Sequence, residues 1–317
     1  MKAIQVTEFG GPEVLVLREV DEPEPMDGFE LIEVSSAGVN YADTHQVENS
    51  YLAAAQLPLI PGGEVVGTTP DGRRVVALLN GGGYAQWALA HPVSTFDLPD
   101  DVQDGQALAL VLQGTTAWHI LRTSARMSEG ESVVVHAGAG GVGTLAVQLA
   151  KRWGAGRVIA TASSQPKRDL ALELGADVTV DANAENMKEA LQEANGGAKV
   201  DVVLEMTGGP TFDGSLAALA PFGRLVTYGA ASRVPAKPIE PGALIGASRG
   251  VIGFWLAHCF TRPGMLSEPM EAMLAMVSAG ELRPIVHGTY PLAEARRAHE
   301  DLRGRGTTGK LVLDLSA

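Results

Sequence analysis

The 317-residue chain is long enough for two domains of ordinary size, and 45% hydrophobic against 19% charged residues, with 38 glycines, describes a folded chain rich in tight turns. Its 37 acidic against 24 basic side chains leave a net charge of -13, which gives no global electrostatic support to binding nucleic acid or an anionic membrane. The single cysteine, Cys259, excludes an intramolecular disulfide framework and a four-thiolate zinc lobe, and with no signal-peptide core and no long apolar span a cytoplasmic location is expected.

Residues 1 to about 118 carry brief β-like runs, such as Leu31 to Val34 and Arg74 to Leu79, between Gly, Pro and Asp clusters; this predicts a mostly β domain. The pattern turns helical around Gln106 to Leu121. From Ser132 onward β runs alternate with amphipathic stretches: Val133 to Val135, Val158 to Ala160, Val178 to Val180, Val200 to Leu204 and Arg224 to Tyr228. Such alternation predicts βαβ units and a doubly wound parallel sheet, the Rossmann arrangement of an α/β chain, over residues 119–257. Beyond it, helix-like stretches at Pro269 to Ala279 and Leu292 to Leu302 and a strand at Leu311 to Leu313 make 258–317 a segment expected to return to the first domain.

The sharpest local signal is Gly138-Ala139-Gly140-Gly141-Val142-Gly143, a G-x-G-x-x-G hexapeptide after the apolar run Ser132 to Val135 and before a helix. In that helix Val142, Leu145, Ala146, Leu149, Ala150 and Trp153 recur at helical spacing, and Gly154 stops it. The first glycine permits the turn, the second lets backbone approach a pyrophosphate, and the third lets helix and strand pack closely. The helix N-terminus adds free N–H groups and positive dipole. A dinucleotide is the expected occupant.

Sites for NAD commonly place an acid about 20 residues further on, where it accepts from the ribose 2'-hydroxyl. Here the segment reads Ala162-Ser163-Ser164-Gln165-Pro166-Lys167-Arg168, two hydroxyls and two cations, which favours NADPH over NADH. The alternative makes Lys167 and Arg168 ordinary solvated residues opening a helix. Asp181, further along, is an acid unhelpful to a phosphate.

Five segments in this order and spacing resemble the medium-chain dehydrogenase/reductase superfamily, specifically its zinc-free quinone oxidoreductase branch. They are Phe9 to Leu15, Gly38-Val39-Asn40-Tyr41-Ala42-Asp43, Pro61 to Gly67, the Gly138 loop and Thr308-Gly309-Lys310-Leu311. The resemblance spans nearly the whole chain and implies a GroES-like catalytic domain beside the Rossmann domain. Where zinc-dependent relatives carry metal ligands, this sequence has Asn40, Gly63 and Leu112, so no catalytic zinc is expected. Asp43 and Glu64 are read as structural hydrogen-bonding groups, and His45 as polar lining.

Without a Lewis acid, the resemblance implies hydride delivery to an acceptor already electron-poor, a quinone or an activated α,β-unsaturated carbonyl. It further implies that Asn40 and Thr116 approach the nicotinamide end, that Gly140, Gly141 and Val142 line the pyrophosphate, and that Tyr228, Gly229 and Phe254 flank the cofactor from strand ends. Tyr51 is either a donor to the substrate oxygen or an apolar wall, since Asn49-Ser50-Tyr51-Leu52 departs from the family pattern. Thr116 and Tyr228 also admit plain packing roles, and Lys310 either contacts cofactor or caps a turn. His136 and Cys259 are expected to be buried, and Met270, Met273 and Met276 to form a helix face. Other readings are an NADPH-dependent enoyl thioester reductase and a weakly catalytic NADPH-binding scaffold. Relatives are commonly homodimers, and Gly250 to Leu256 is the candidate pairing strand.

Overall fold

The computed structural model describes residues 1–316. In chain order its first elements are β1 (Lys2–Gln5), β2 (Val16–Glu19), β3 (Glu30–Val39), α1 (Tyr41–Val47), β4 (Glu64–Thr68), β5 (Arg74–Leu78), β6 (Trp87–Ala90) and β7 (Thr95–Asp97). A helical run follows: α2 (Asp104–Leu108), a π-helical stretch Ala109–Gly114, α3 (Thr115–His119) and a second π-helical stretch Ile120–Ser124. The alternating part comprises β8 (Ser132–Val135), α4 (Gly141–Arg152), β9 (Arg157–Ala162), α5 (Gln165–Glu173), β10 (Val178–Asp181), α6 (Met187–Ala194), β11 (Val200–Glu205), α7 (Gly209–Ala218), β12 (Leu219–Thr227), α8 (Pro241–Ala247) and β13 (Gly250–Gly253). The chain closes with α9 (Ser267–Ser278), β14 (Val286–Pro291), α10 (Ala295–Arg303) and β15 (Lys310–Asp314). It divides into two compact units, Met1–Thr115 with His258–Ala317, and Thr116–Ala257.

In the first unit a seven-stranded sheet runs β14-β15-β3-β4-β5-β7, with β6 also paired to β3, and β1 and β2 form a separate hairpin. All its pairings are antiparallel except β14 with β15. Alternation of Ile32, Val34, Ala37 and Val39 along β3 drives one face into a core shared with Val65, Val75, Tyr84, Leu311 and Leu313. Helix α1 is a departure from the sparse helical signal of this region, because seven residues are too few to show a period. On α9, Met270 and Met273 are fully buried, and Met273 packs towards Gly114 on the π-helical stretch. Met270 and Met273 form a core face, with Met276 half-buried beside it.

The second unit is a six-stranded parallel sheet in the order β10-β9-β8-β11-β12-β13. Numbered within the unit that order is 3-2-1-4-5-6, the doubly wound dinucleotide-binding topology, whose strand order reverses at its first strand. Its β8, Ser132-Val133-Val134-Val135, is buried along its whole length, as a parallel strand covered on both faces requires. Leu145, Ala146, Leu149 and Ala150 turn one face of α4 fully inward.

His136 follows β8 inside this unit, where its Nδ1 lies 3.0 Å from Thr161 Oγ1 and its Nε2 lies 2.8 Å from Ser215 Oγ. Burial pulls its pKa from the ordinary 6.5 down to about 4, and burial with the nearby Arg303 does the same for His299 of the first unit. Both rings fold neutral, whereas the unfolded chain protonates them as pH falls through 6.5. Their stabilisation is therefore complete above pH 6.5 and lost towards pH 4, at about 3 kcal/mol per ring. Denaturant unfolding at pH 7 and at pH 5 should show this loss, and His136→Gln should remove that residue's share of it.

Candidate functional site

The candidate site residues fall in both units, and each unit presents its own cluster. In the second unit every strand is parallel, so the carboxyl ends of all six lie along one edge. The glycine loop leaves that edge at β8, the central strand where the order reverses, and feeds α4. Gly138 N–H donates to Thr161 O at 2.8 Å and Gly140 N–H to Ala137 O at 2.8 Å, which holds the loop tightly coiled between β8 and β9. Gly140 is the N-cap of α4, so the first N–H groups of a twelve-residue helix open beside it.

The approach is close enough to exclude side chains. A Cβ on Gly138 would meet Ala160 Cβ at 2.7 Å, and one on Gly143 would run into the Ala137 carbonyl and the Gly138 backbone. Gly140 is less confined, its nearest neighbour being Ala137 O at 3.2 Å.

Beyond β9, exposed Ser163 and half-buried Ser164 lead into α5, with Ser164 as its N-cap. Lys167 is half-buried, and desolvation lowers its pKa. Arg168 donates to Ala162 O at 3.2 Å and forms an ion pair of 3.1 Å with Asp181 at the end of β10. Arg168 is thus an anchored cation, which counts against the alternative that it is an ordinary solvated residue. No carboxylate stands at the end of β9 itself, where Ala162-Ser163-Ser164 follow.

Further along the edge, Tyr228 N–H donates to Glu205 O at 3.0 Å and Phe254 N–H to Thr227 O at 2.9 Å, so Tyr228 and Phe254 continue neighbouring strands. Tyr228 and Phe254 are half-buried and Gly229 is exposed. Burial, with Glu205 nearby, raises the Tyr228 pKa, so the phenol stays protonated. Phe254 stacks on His119 at 5.9 Å between ring centroids. Thr116 lies buried in α3. Glu205, which the sequence reading did not single out, ends β11 fully buried; its Oε1 accepts from Thr207 N–H at 2.7 Å and Gly208 N–H at 2.9 Å.

In the first unit, β15, β3 and β4 are neighbouring strands, and the start of β15, the end of β3 and the start of β4 come together. Register alone therefore gathers Lys310, Asn40 and Glu64. Lys310 Nζ pairs with Glu64 Oε1 and donates to Asn40 Oδ1 at 2.9 Å, while Asn40 Nδ2 donates to Glu64 Oε1 at 2.9 Å. Gln113 Nε2 donates to Asn40 Oδ1 at 3.1 Å. Of the two readings of Lys310, cofactor contact or turn cap, the turn cap is corrected: Lys310 is the first residue of β15 and has no exposure, because its ammonium is committed to a buried carboxylate.

A second chain of bonds adjoins the first. Asp43 Oδ2 accepts from Asn40 N–H at 2.8 Å and from Tyr84 Oη–H at 3.0 Å, and Tyr84 Oη lies 3.0 Å from His299 Nε2. Since the phenol gives its proton to Asp43, the neutral imidazole donates to it from Nε2. Burial raises the Asp43 pKa to about 6 against the opposing pull of the Asn40 N–H and Lys310. Sequence reasoning missed Gln113, Tyr84 and His299, which carry no local motif.

Tyr51 is half-buried in the bend just beyond α1, and His45 Nδ1 lies 2.8 Å from Ser50 Oγ. The segment after Tyr51 borders a cleft of about 400 Å³ walled by Gln46, Ala54, Gln56, Leu59 and Asn80.

The chain matches the family model described as "Zinc-binding dehydrogenase" over residues 141–278. It is 31% identical to the human quinone oxidoreductase, over 99% of this chain and 97% of that protein. The structure of Escherichia coli quinone oxidoreductase complexed with NADPH superposes with a TM-score of 0.92 at 30% identity, covering 99% of this chain and 100% of that one. For Thermus thermophilus quinone oxidoreductase, described with its NADPH complex, the values are 0.89 and 36%, with 99% and 100% covered.

The zinc in the family model's description does not fit the residues present. Leu112 Cδ1 would lie 3.7 Å from a Cβ on Gly63, so those positions do come together, but neither offers a donor atom. The Asn40 carboxamide is engaged by Lys310, Gln113 and Glu64, and among the described residues no group of three His, Cys, Asp or Glu side chains could hold a metal.

The close approach at Gly143 makes a direct prediction. Gly143→Ala should destabilise the second unit by about 1–3 kcal/mol, through overpacking against backbone that has nowhere to move. Gly140→Ala, facing a contact of 3.2 Å, should cost distinctly less in the same urea titration.

Proposed function

Because this chain belongs to the quinone oxidoreductase branch of the medium-chain dehydrogenase/reductase superfamily, we propose that it is an NADPH-dependent, zinc-independent reductase of quinones or activated α,β-unsaturated carbonyls. The observation that carries the reading is the glycine loop at the reversal point of a 3-2-1-4-5-6 sheet, with hydroxyls and a cation rather than a carboxylate beyond the next strand. The relatives crystallised with NADPH support the same choice.

When bound, the reduced nicotinamide supplies a hydride, and a proton completes the two-electron reduction of the acceptor. The Gly138 to Gly143 loop and the α4 N-terminus hold the pyrophosphate through backbone N–H groups. Ser163, Ser164 and Lys167 receive the 2'-phosphate, with Arg168 beside them. The Asp181–Arg168 pair keeps that acid's charge compensated. Thr116, Tyr228, Gly229 and Phe254 flank the cofactor. In the first unit Asn40 orients the reacting groups, and Tyr51 donates a hydrogen bond or proton to the acceptor oxygen. Stabilising the developing oxyanion with such donors takes the place of a Lewis acid.

We also assign a homodimer through β13. This strand is at one edge of its sheet, and α8 just before it, Pro-Gly-Ala-Leu-Ile-Gly-Ala, is uncharged and buries none of its residues.

A panel of quinones, enones and a crotonyl thioester, assayed with NADPH and with NADH, tests the reading. Turnover of quinones or enones with NADPH preferred is the expected result. Thioester reduction without quinone turnover would reassign the acceptor, and tight NADPH binding without any turnover would leave a scaffold. Lys167→Ala should weaken NADPH binding about tenfold, the worth of one charge-assisted hydrogen bond, and leave NADH binding nearly unchanged. Equal losses for the two nucleotides would defeat the phosphate assignment. Tyr51→Phe should lower kcat across the acceptor panel, and unchanged turnover would remove the phenol from the mechanism.

A further inference from the structure

We propose that Lys310, Glu64 and Gln113 are positioning residues that lock the Asn40 carboxamide in one orientation and leave one of its N–H groups as a fixed donor. The proposal deepens the reading above, in which Asn40 orients the reacting groups, and rests on it for its catalytic consequence.

A carboxamide can rotate by half a turn and exchange its oxygen and nitrogen at almost no steric cost, so only its partners decide which way it points. Lys310 offers donors alone, and its Nζ lies 2.9 Å from Asn40 Oδ1. Glu64 is paired with that ammonium and so acts as an acceptor; its Oε1 lies 2.9 Å from Asn40 Nδ2. One ion pair thus brackets the amide with groups of opposite character, and a flipped amide would set donor against donor and acceptor against acceptor.

Gln113 Nε2 adds a second donor to Oδ1 at 3.1 Å, filling the two acceptor directions of that oxygen. The amide nitrogen has two hydrogens, and one is spent on Glu64. The other is left as the oriented donor.

Burial makes the lock strong. Lys310 and Glu64 have no exposure, Asn40 3% and Gln113 8%, so water does not compete for these bonds. Gly38 provides the room: a Cβ there would run into Glu64 Oε1 and meet Lys310 Cε at 2.6 Å. Glu64 Oε2 and Gln113 Oε1 have no partner among the described residues, so neither holds the amide in any other way.

The test replaces the pair together, Lys310→Met with Glu64→Gln, so that no lone buried charge remains. Selective 15N labelling of asparagine, with the Asn40 signal assigned by its loss in Asn40→Ser, reads the side-chain amide directly. In the wild type its two protons should resonate away from the positions of a free asparagine amide and be slow to exchange with water. In the double variant both signals should move towards the free-amide positions and exchange faster, while kcat for NADPH oxidation falls about tenfold or more and NADPH Kd stays within about threefold, the signature of misplaced chemistry rather than lost binding. An unchanged Asn40 amide overturns the proposal, and so does a kcat within about twofold of wild type, or an NADPH Kd raised with kcat intact, which would make Lys310 a cofactor contact. Gln113→Met, uncharged and similar in size, should shift the same amide signal in the same direction, and it decides the matter if the double variant fails to fold. A wild type that oxidises no NADPH defeats the proposed function alone, and the amide signals then judge the lock by themselves.

Discussion

An ammonium and a carboxylate taken out of water must meet each other, because each alone costs several kcal/mol in a protein interior. The Lys310–Glu64 pair obeys this constraint with no exposure on either side, and the first unit is arranged around it. The two residues are 246 positions apart, and they meet only because β15 and β4 flank β3. The closing strand is thereby tied to the end of β3, where Asn40 begins α1. The same junction receives Asp43, Tyr84 and His299, so a hydrogen-bonded network replaces water around this buried pair.

The second unit solves a different problem, how to leave polar backbone free for a ligand without leaving it unsatisfied in a core. Its central strands β8, β9 and β11 are sealed along most of their lengths by apolar residues, and the carboxyl ends of all six are gathered along one edge. At that edge the loop from β8 to α4 is compressed until Gly143 has no space for a side chain, and the helix N-terminus opens beside it. Arg168 on α5 and Asp181 at the end of β10 compensate each other there. Glu205 secures the turn after β11 by accepting from two successive N–H groups.

Features carried by short periods and fixed spacings were legible in the chain itself. The valine run of β8, the glycine hexapeptide and the apolar face of α4 are contiguous, so their physics is local and a linear reading finds it. Helix α1 escaped because two turns are too short for a period to emerge. Gln113, Tyr84 and His299 escaped for another reason: each sits alone in an unremarkable stretch, and its meaning lies in a partner dozens to hundreds of residues away. Lys310 was conspicuous at the end of a motif, yet the sequence left it between a cofactor contact and a turn cap and did not show its partner, Glu64.

The amino-acid sequence by itself determined the two kinds of sheet, the dinucleotide loop and its place after a buried strand, and the lack of metal-ligating side chains at Asn40, Gly63 and Leu112, since these depend on side-chain type and spacing along the chain. The tertiary structure decided what each polar group is bonded to: Lys310 to Glu64 rather than to a turn, Arg168 to Asp181, and the Asn40 carboxamide between a donor and an acceptor. Hydrogen bonds and ion pairs act over a few ångströms of space, and strand register brings those ångströms together only once the chain has folded.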